Sequence, residues 1–249
     1  MTNRASFDFA GASILVTGGT SGIGHAVATA FSDAGAVVTV TGTRPGPDQY
    51  ETDLARFTYR QAEMTDAHSI DALVDSIDQL DVLVNNAGAN FPGGRDEWEP
   101  ETFAAALTLN LVGPMRLTTG VRDQLTASTL DGGSSVVNLA SLSAFRSVPI
   151  VPGYSSAKAG LVTLTHNLAR LWVDRGIRVN AVAPGIIDTP IRAAMPEAAR
   201  RDMLAKTAAS LPVGRVGVGE DIAQQILAFM TIGFMTGSIV YLDGGALVT

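Results

Sequence analysis

The stretch Thr17-Gly18-Gly19-Thr20-Ser21-Gly22-Ile23-Gly24 joins two segments that differ in hydrophobic pattern. Residues 13–17 form a short β-rich run before it, and residues 22–34 form a helical pattern rich in small residues after it. Glycines at such a junction permit a tight turn and let backbone N–H groups approach a pyrophosphate at the helix N-terminus. A plain turn would give a similar cluster, and the spacing GxxxGxG differs from the GxGxxG fingerprint. The position after the first strand favours a nucleotide-binding α/β fold.

Outward from this stretch, short strand patterns alternate with longer helical patterns. The strand patterns lie at residues 13–17, 36–41, 57–62, 81–84, 135–139, 177–182 and 238–242. This alternation is typical of βαβ units, which build a parallel sheet with right-handed crossovers. The sequence contains no linker, repeat or low-complexity tract. It therefore predicts a single α/β domain over residues 1–249, doubly wound, with a seven-stranded parallel sheet and helices on both faces.

Composition and charge argue against several classes of function. The net charge of −7 argues against general binding of nucleic acid or of an anionic membrane. The absence of cysteine excludes disulfides, zinc–thiolate sites and a cysteine nucleophile, and the three histidines are too scattered for a metal site. No apolar run approaches the ~18 residues of a membrane span, and residues 1–9 do not resemble a signal peptide. We expect a cytoplasmic protein with no metal, no nucleic-acid partner and no membrane span.

A second decisive stretch is Tyr154-Ser155-Ser156-Ala157-Lys158. A tyrosine and a lysine four residues apart share one face of a helix, so the ammonium can lie near the phenol. A nearby positive charge favours the phenolate and lowers the pKa of the phenol from its usual value of about 10. Such a tyrosine can exchange a proton with a carbonyl oxygen near neutral pH. In isolation, the pair is more often an ordinary pair on a helix surface, and its chemistry therefore depends on the other motifs.

Further short motifs accompany these two stretches. They are Asn85-Asn86-Ala87-Gly88 after the fourth strand pattern, Asn110 in the following helical pattern, Ser141 thirteen residues before Tyr154, Pro184-Gly185 followed by Ile187 and Thr189, and Asp243-Gly244-Gly245. Together the motifs resemble the classical short-chain dehydrogenase/reductase family, in particular members such as the 3-oxoacyl-acyl-carrier-protein reductases. The resemblance extends over nearly the whole chain. It implies a Rossmann fold with strand order 3-2-1-4-5-6-7.

The resemblance implies catalytic roles for four residues. Tyr154 would be the general acid in carbonyl reduction and the base in alcohol oxidation. Lys158 would lower the pKa of Tyr154 and bind the nicotinamide ribose. Ser141 would hold the substrate oxygen and stabilise the charge that develops on it. Asn110 would anchor a water molecule that joins Lys158 to solvent in a proton relay.

The resemblance also implies a nicotinamide cofactor. The implied cofactor-binding residues are Gly18, Thr20, Ser21, Gly22, Ile23, Gly24, Thr43, Arg44, Asp66, Asn86, Ala87, Gly88, Tyr154, Lys158, Pro184, Gly185, Ile187 and Thr189. Among them, Asp66 is expected to contact the adenine, and Asn86 and Gly88 are expected to support the adenosine ribose.

The choice between the two nicotinamide cofactors depends on the end of the second strand. Family members that prefer NAD carry an aspartate at the position of Gly42, whereas this chain continues Gly42-Thr43-Arg44. A hydroxyl and a guanidinium suit a 2′-phosphate. Ser21 weakens this argument, because many NADP-dependent members carry Arg or Lys at its position. We favour NADP(H), with NAD(H) as the alternative.

Residues that follow the fourth and fifth strands are expected to form the pocket for a small carbonyl or alcohol substrate. The expected substrate residues are Asn90, Ser143, Phe145 and Arg146 after these strands, together with Met195 from the connection over residues 188–218. The long connection over residues 188–218 contains three prolines and a helical patch, which is typical of a substrate lid, with a solvent-exposed crossover as the alternative. The chain is 46% hydrophobic and only 16% charged, which favours a buried subunit interface in a homotetramer or homodimer.

These observations predict an NAD(P)-dependent oxidoreductase that interconverts a ketone and a secondary alcohol by hydride transfer, with Tyr154 as acid and base. The chain resembles 3-oxoacyl-acyl-carrier-protein reductases and sugar or polyol dehydrogenases about equally. The alternative from another class is a catalytically idle protein on the same fold that senses a cofactor or serves as a scaffold. The complete set of Asn110, Ser141, Tyr154 and Lys158 argues against that alternative.

Overall fold

The computed structural model describes residues 6–189 and 196–248, and it contains one seven-stranded sheet. The strands are β1 Ser13–Val16, β2 Val37–Gly42, β3 Thr58–Gln61, β4 Val82–Asn85, β5 Ser134–Leu139, β6 Ile177–Pro184 and β7 Ile239–Leu242. All neighbouring pairs are parallel and their order is 3-2-1-4-5-6-7, as predicted.

Helices cover both faces of this sheet. They are α1 Gly22–Asp33, α2 Ala67–Asp75, α3 Pro100–Leu107, α4 Gly113–Gly120, α5 Arg122–Thr126, α6 Pro152–Trp172, α7 Glu197–Ser210 and α8 Gly219–Thr231. Along β1, Ile14 and Val16 pack with α1 and α8 on one face, whereas Leu15 packs with α2, α4 and α6 on the other. This alternation is the period of two of a strand buried on both sides. The prediction of a doubly wound α/β sheet is confirmed.

The chain between α3 and α4 contains a π-helical turn, Thr108–Val112. The next residue, Gly113, approaches the backbone closely, because a Cβ there would lie 2.2 Å from the carbonyl oxygen of Met64. Single π turns in helices often occur at functional sites. Here the turn contains the buried Asn110.

The segment expected to be a lid is joined at its two ends. Ile187 and Gly217 form an isolated parallel bridge, and Asp188 makes an ion pair with Arg200 of α7. α7 itself contains no buried residue. Met195, an expected substrate residue, lies outside the described residues. None of the described helices is both long and apolar enough to span a membrane.

Candidate active site

A cleft of ≈ 900 Å³ lies at the carboxyl ends of the strands. The glycine-rich loop after β1 lines one part, and the ends of β4, β5 and β6 with the start of α6 line the other. The crossovers that leave β1 and β4 run to opposite faces of the sheet, so the cleft lies at the switch point where doubly wound folds bind ligands.

Tyr154 and Lys158 lie one turn apart on α6 and both line the cleft. The Nζ of Lys158 is 5.4 Å from the centroid of the Tyr154 ring and donates a hydrogen bond of 2.7 Å to the carbonyl oxygen of Leu139. Lys158 is only 4% exposed, and burial lowers its pKa to about 8. A lysine with this pKa can gain and lose a proton near neutral pH.

The phenol of Tyr154 has a raised pKa. Burial is the largest cause, a hydrogen bond with Ser141 acts in the opposite direction, and the negative charge of Glu97 raises the pKa further. The chain by itself therefore does not have the lowered phenol pKa that the sequence predicted, because the cost of burying a phenolate is larger than the effects that favour it.

Ser141 lies directly after β5 and begins the short turn Leu142–Ala144. Its Oγ accepts a hydrogen bond of 3.2 Å from the backbone N–H of Ser143. This bond and the contact with Tyr154 direct the hydroxyl into the cleft beside the phenol. The two hydroxyls can thus reach the same substrate oxygen.

Asn110 lies against the same group of residues from the π turn. Its Nδ2 donates to the carbonyl oxygens of Ala89 and Ala106 at 2.9 Å and 3.0 Å, and its buried Oδ1 has no hydrogen-bond partner among the described residues. A Cβ on Gly88 would lie 2.5 Å from this Oδ1 and 3.4 Å from the Nζ of Lys158. The structure therefore brings together the four expected catalytic residues.

The loop after β1 fits a pyrophosphate. Ser21 precedes α1 but makes no side-chain capping bond, so its hydroxyl leaves the first N–H groups of the helix for another acceptor. Gly24 permits the close approach of the chain, because a Cβ there would lie 2.3 Å from the carbonyl oxygen of Gly18. The Nδ2 of Asn86 donates to the carbonyl oxygens of Thr17 and Gly18 at 2.9 Å and 3.1 Å and thereby fixes the loop.

Most of the expected cofactor residues line the cleft. They are Gly18, Thr20, Ser21, Gly22, Ile23, Gly24, Thr43, Asn86, Ala87, Gly88, Tyr154, Lys158, Pro184, Gly185, Ile187 and Thr189. The cleft is thus continuous from the glycine loop to Tyr154, and its extent suits a dinucleotide that carries a nicotinamide at one end.

Two expected cofactor residues do not line the cleft. The guanidinium of Arg44 lies 4.9 Å from the centroid of the Tyr50 ring and donates to the carbonyl oxygen of Gln49. Asp66 caps α2, where its Oδ1 accepts a hydrogen bond of 3.0 Å from the N–H of His68. Short polar side chains are often used in this way at helix N-termini, and this use competes with ligand binding.

Sequence reasoning missed Tyr50 and Glu63, which both line the adenosine end of the cleft. The Tyr50 hydroxyl occupies the position beside β2 where an acidic side chain would otherwise lie, because a Cβ on Gly42 would be 2.3 Å from it. No motif predicts Tyr50, since a short turn at Pro47–Gln49 separates it from the strand. Glu63 follows β3 almost directly, and its position at a strand end was a usable signal.

The expected substrate residues divide into two groups. Asn90, Ser143 and Arg146 line the cleft. Phe145 instead packs edge-on against Tyr241 of β7, with ring centroids 4.8 Å apart. The cleft has further apolar lining residues that the sequence did not indicate, namely Val148 and Val151.

The geometry of the fold and cleft defines a class of dinucleotide-dependent oxidoreductases, and comparison with known proteins identifies the family. The family model described as enoyl-(acyl carrier protein) reductase matches residues 18–246. The cis-4-hydroxycyclohexanecarboxylate dehydrogenase of Sinomonas cyclohexanicum is 34% identical, and the match covers 93% of this chain and 94% of that protein. The 3-oxoacyl-[acyl-carrier-protein] reductase FabG of Thermotoga maritima is 31% identical over 94% of this chain and 97% of that protein.

A solved structure has the same architecture. It comes from Agrobacterium tumefaciens, is described provisionally as a 2-deoxy-d-gluconate 3-dehydrogenase, and contains NADP. Its TM-score is 0.83 and its identity 32%, with 99% of this chain and 100% of that chain covered. The chain belongs to the short-chain dehydrogenase/reductase family. It is an NAD(P)-dependent oxidoreductase that acts on CH–OH groups.

Proposed function

We propose that the protein interconverts a ketone and a secondary alcohol with NADP(H), and that Tyr154 is the acid and base of the reaction. One observation carries the proposal: Tyr154, Lys158, Ser141 and Asn110 converge at one end of a cleft whose other end is built for a pyrophosphate. Each of these residues also has a structural use. Their convergence beside the substrate pocket is what favours catalysis.

Ser141 and Tyr154 would have different roles in the reaction. The cofactor would supply a hydride to the carbonyl carbon. Ser141 would donate a hydrogen bond to the carbonyl oxygen as negative charge develops there. Tyr154 would then give its proton to that oxygen, and its raised pKa keeps the proton on the phenol near neutral pH. This protonation state favours the direction of reduction.

Lys158 and Asn110 would resupply the proton. The pKa of Lys158, about 8, lies close to the pH at which the reaction would run. The unpartnered Oδ1 of Asn110 lies next to Gly88, which also adjoins Lys158. A water molecule held by this oxygen would connect the ammonium to solvent.

The preference for NADP(H) rests on the end of β2. No carboxylate occupies the position of Gly42, and the positive charge of Arg44 lies over the Tyr50 ring beside it. A guanidinium and a phenolic hydroxyl are suitable partners for a 2′-phosphate. The related Agrobacterium tumefaciens structure contains NADP, which supports the same choice.

The lining of the substrate end favours an apolar substrate with an acidic group. Phe91, Leu142, Val148 and Val151 provide apolar walls, and the exposed Arg146 makes no ion pair among the described residues. A polyol would leave hydroxyls against apolar walls, which is costly. We therefore propose a ring or chain that carries the reacting oxygen at one end and a carboxylate or phosphate toward Arg146.

The test measures turnover of a panel of candidate substrates. The absorbance of the reduced nicotinamide reports the rate. The panel contains cis-4-hydroxycyclohexanecarboxylate, its methyl ester, a 3-oxoacyl thioester and a hexitol, each with NADP(H) and with NAD(H). The expected result is turnover of the carboxylate with NADP(H), faster than that of its methyl ester and of the hexitol. Binding of NADPH without turnover of any compound would support the idle, cofactor-sensing alternative instead.

We also propose that the protein is a homodimer or homotetramer. Phe234 is fully exposed, and Leu171 and Val173 at the end of α6 are 70% and 56% exposed. Large apolar side chains left in water are a common sign of an interface. Light scattering coupled to size exclusion gives the mass directly, and a mass of about 26 kDa, that of a single chain, would contradict the proposal.

A further inference from the structure

A buried glutamate that the proposed mechanism does not use lies behind the catalytic tyrosine. Glu97 is 0% exposed, and it is the one acidic side chain among the buried charged residues of the described chain. It lies in the connection between β4 and α3 and forms no ion pair with any described residue. A buried carboxylate without a cation is costly unless hydrogen bonds compensate it.

Two backbone donors supply that compensation, and they come from two different parts of the cleft. The Oε2 of Glu97 accepts a hydrogen bond of 2.8 Å from the N–H of Tyr154, and Oε1 accepts one of 2.7 Å from the N–H of Phe91. Tyr154 is in the first turn of the 21-residue helix α6, where the N–H groups and the helix dipole favour a negative charge. One carboxylate thus joins the catalytic helix to a wall of the cleft.

The surroundings are built to admit this carboxylate. Gly153 has no side chain, and a Cβ there would lie 3.3 Å from the Oε2 of Glu97 and 2.9 Å from the Cβ of Ala106. A second contact joins the same two segments, because the indole Nε1–H of Trp98 donates a hydrogen bond of 2.8 Å to the carbonyl oxygen of Pro149. The loop after β4 is therefore fastened twice to the segment that leads into Tyr154.

The other partner of Glu97 has a strained backbone. Phe91, with φ of 48°, is the single non-glycine residue with positive φ in the described chain. A bulky residue in the left-handed region is unfavourable by about 1–2 kcal/mol, so surrounding bonds must hold it there. The bond from its N–H to Glu97 is one of these, and Phe91 lines the substrate part of the cleft.

We propose that Glu97 is a positioning residue, whose carboxylate joins the start of the catalytic helix to the Phe91 wall and thereby sets the placement and the charge environment of Tyr154. This inference rests on the proposed function of Tyr154 as acid and base. It goes further by assigning the control of that tyrosine to a group that touches neither substrate nor cofactor.

Few charged or polar side chains of the described residues face the phenol of Tyr154. Lys158 faces Tyr154 from the same helix, Ser141 faces it from the end of β5, and Glu97 faces it from the loop after β4. Arg146 lines the same cleft. The negative charge of Glu97 opposes formation of the phenolate, and its removal should lower the pKa of Tyr154.

The test compares Glu97→Gln with Glu99→Gln, which removes an exposed charge two residues away that makes no capping bond. A glutamine has one acceptor oxygen and one NH₂ group, so one of the two backbone bonds of Glu97 is lost together with the charge. We expect kcat to fall at least 10-fold in Glu97→Gln with a smaller change in KM. The pH profile of alcohol oxidation should move to lower pH by about one unit. Glu99→Gln should match the unmodified protein.

A spectroscopic measurement tests the same idea without turnover. The chain has only four tyrosines, so the ¹³Cζ signal of Tyr154 can be assigned with Tyr154→Phe and titrated in the full-length protein. Its midpoint should be about one pH unit lower in Glu97→Gln than in Glu99→Gln. An unchanged midpoint would overturn the inference even if activity fell, because a purely structural role predicts no shift.

The variant Glu97→Asp distinguishes the effect of the negative charge from the effect of the side-chain length. It also tests the proposal if Glu97→Gln does not fold. Aspartate keeps the charge but is one methylene shorter, so kcat should fall at least 10-fold while the Tyr154 midpoint stays near that of the unmodified protein. Unchanged kcat in Glu97→Asp would overturn the positioning role. If the unmodified protein turns over no alcohol, the proposed function fails, whereas the NMR titration still decides the inference about Glu97.

Discussion

The two ends of the cleft differ in how they are built. At the catalytic end, Ser141 follows β5, Tyr154 lies in the first turn of α6, and the four expected catalytic residues lie close together. At the adenosine end, the loop after β2 is short, and Tyr50 and Glu63 line the cleft where Arg44 and Asp66 were expected. The comparison teaches that motifs on long, buried elements fix side-chain positions, whereas a short loop can rearrange which of its side chains face the ligand.

The largest expected effect is at the catalytic end. Tyr154→Phe removes only the phenolic hydroxyl, so kcat should fall by about 10²–10⁴-fold in both directions, while NADPH affinity should change less than about threefold. The control is Tyr241→Phe on β7, whose ring packs against Phe145 and does not line the cleft. Stopped-flow turnover and fluorescence titration measure the two quantities. Turnover of Tyr154→Phe near that of the control would contradict the assignment of the acid.

The second prediction concerns the contribution of Lys158, at the same end of the cleft, to the stability of the protein. The folded pKa of Lys158, about 8, lies below its usual value of 10.5, so between these pH values the unfolded chain holds a proton that the folded chain releases. Stability should therefore rise with pH across this window. Lys158→Met should stabilise the protein at pH 7 by roughly 1–3 kcal/mol, after the loss of the hydrogen bond to Leu139, and the gain should shrink by pH 10. Urea unfolding of the cofactor-free protein at both pH values measures this.

In Lys158→Met, kcat should fall although the free energy of unfolding rises. If Lys158→Met were less stable than the unmodified protein at pH 7, the burial of the ammonium would not be the cost that the structure indicates. Lys206→Met, in the exposed helix α7, is the matched control and should leave unfolding unchanged within about 0.5 kcal/mol.

The third prediction sharpens the comparison at the mouth of the cleft. Arg146→Gln should raise KM for an acidic substrate about 10-fold, because a charge-assisted hydrogen bond contributes about 1.5–3 kcal/mol at most. The same variant should leave KM for the methyl ester unchanged. Arg95→Gln is the control, since Arg95 is exposed and does not line the cleft. Equal losses for acid and ester would show that Arg146 acts on the fold of the loop rather than on the substrate.

The smallest effects are expected at the adenosine end. Arg44→Gln should weaken NADPH binding about 5–10-fold and leave NADH binding unchanged, because only NADPH carries the 2′-phosphate that we propose the guanidinium turns to bind. Tyr50→Phe should weaken NADPH binding about two- to fivefold through the loss of one hydroxyl. Calorimetry at fixed salt measures all four constants. Equal weakening for both nucleotides in Arg44→Gln would make Arg44 a support of the loop and would remove the argument for NADP(H).

Most of the fold was predictable because hydrophobic periodicity and glycine-rich turns are local signals. The strand patterns predicted the parallel sheet, and the family resemblance implied its strand order and pointed to four residues that lie close together in the structure. The raised pKa of Tyr154 was not predictable, since the spacing of Tyr154 and Lys158 does not encode how deeply the phenol is buried. Glu97 carried no signal either, because its partners are backbone N–H groups at residues 91 and 154.

The bridge between Ile187 and Gly217 has a consequence for how well the fold tolerates sequence changes. Because the two ends of the segment are held together by backbone bonds, its length and sequence bear little on the closure of the sheet. α7 contributes no buried residue to the core, so its replacement removes little of the free energy of folding. The sequence of α7 can therefore change without disturbing the sheet, and replacement of α7 by the equivalent helix of a relative should leave the host folded.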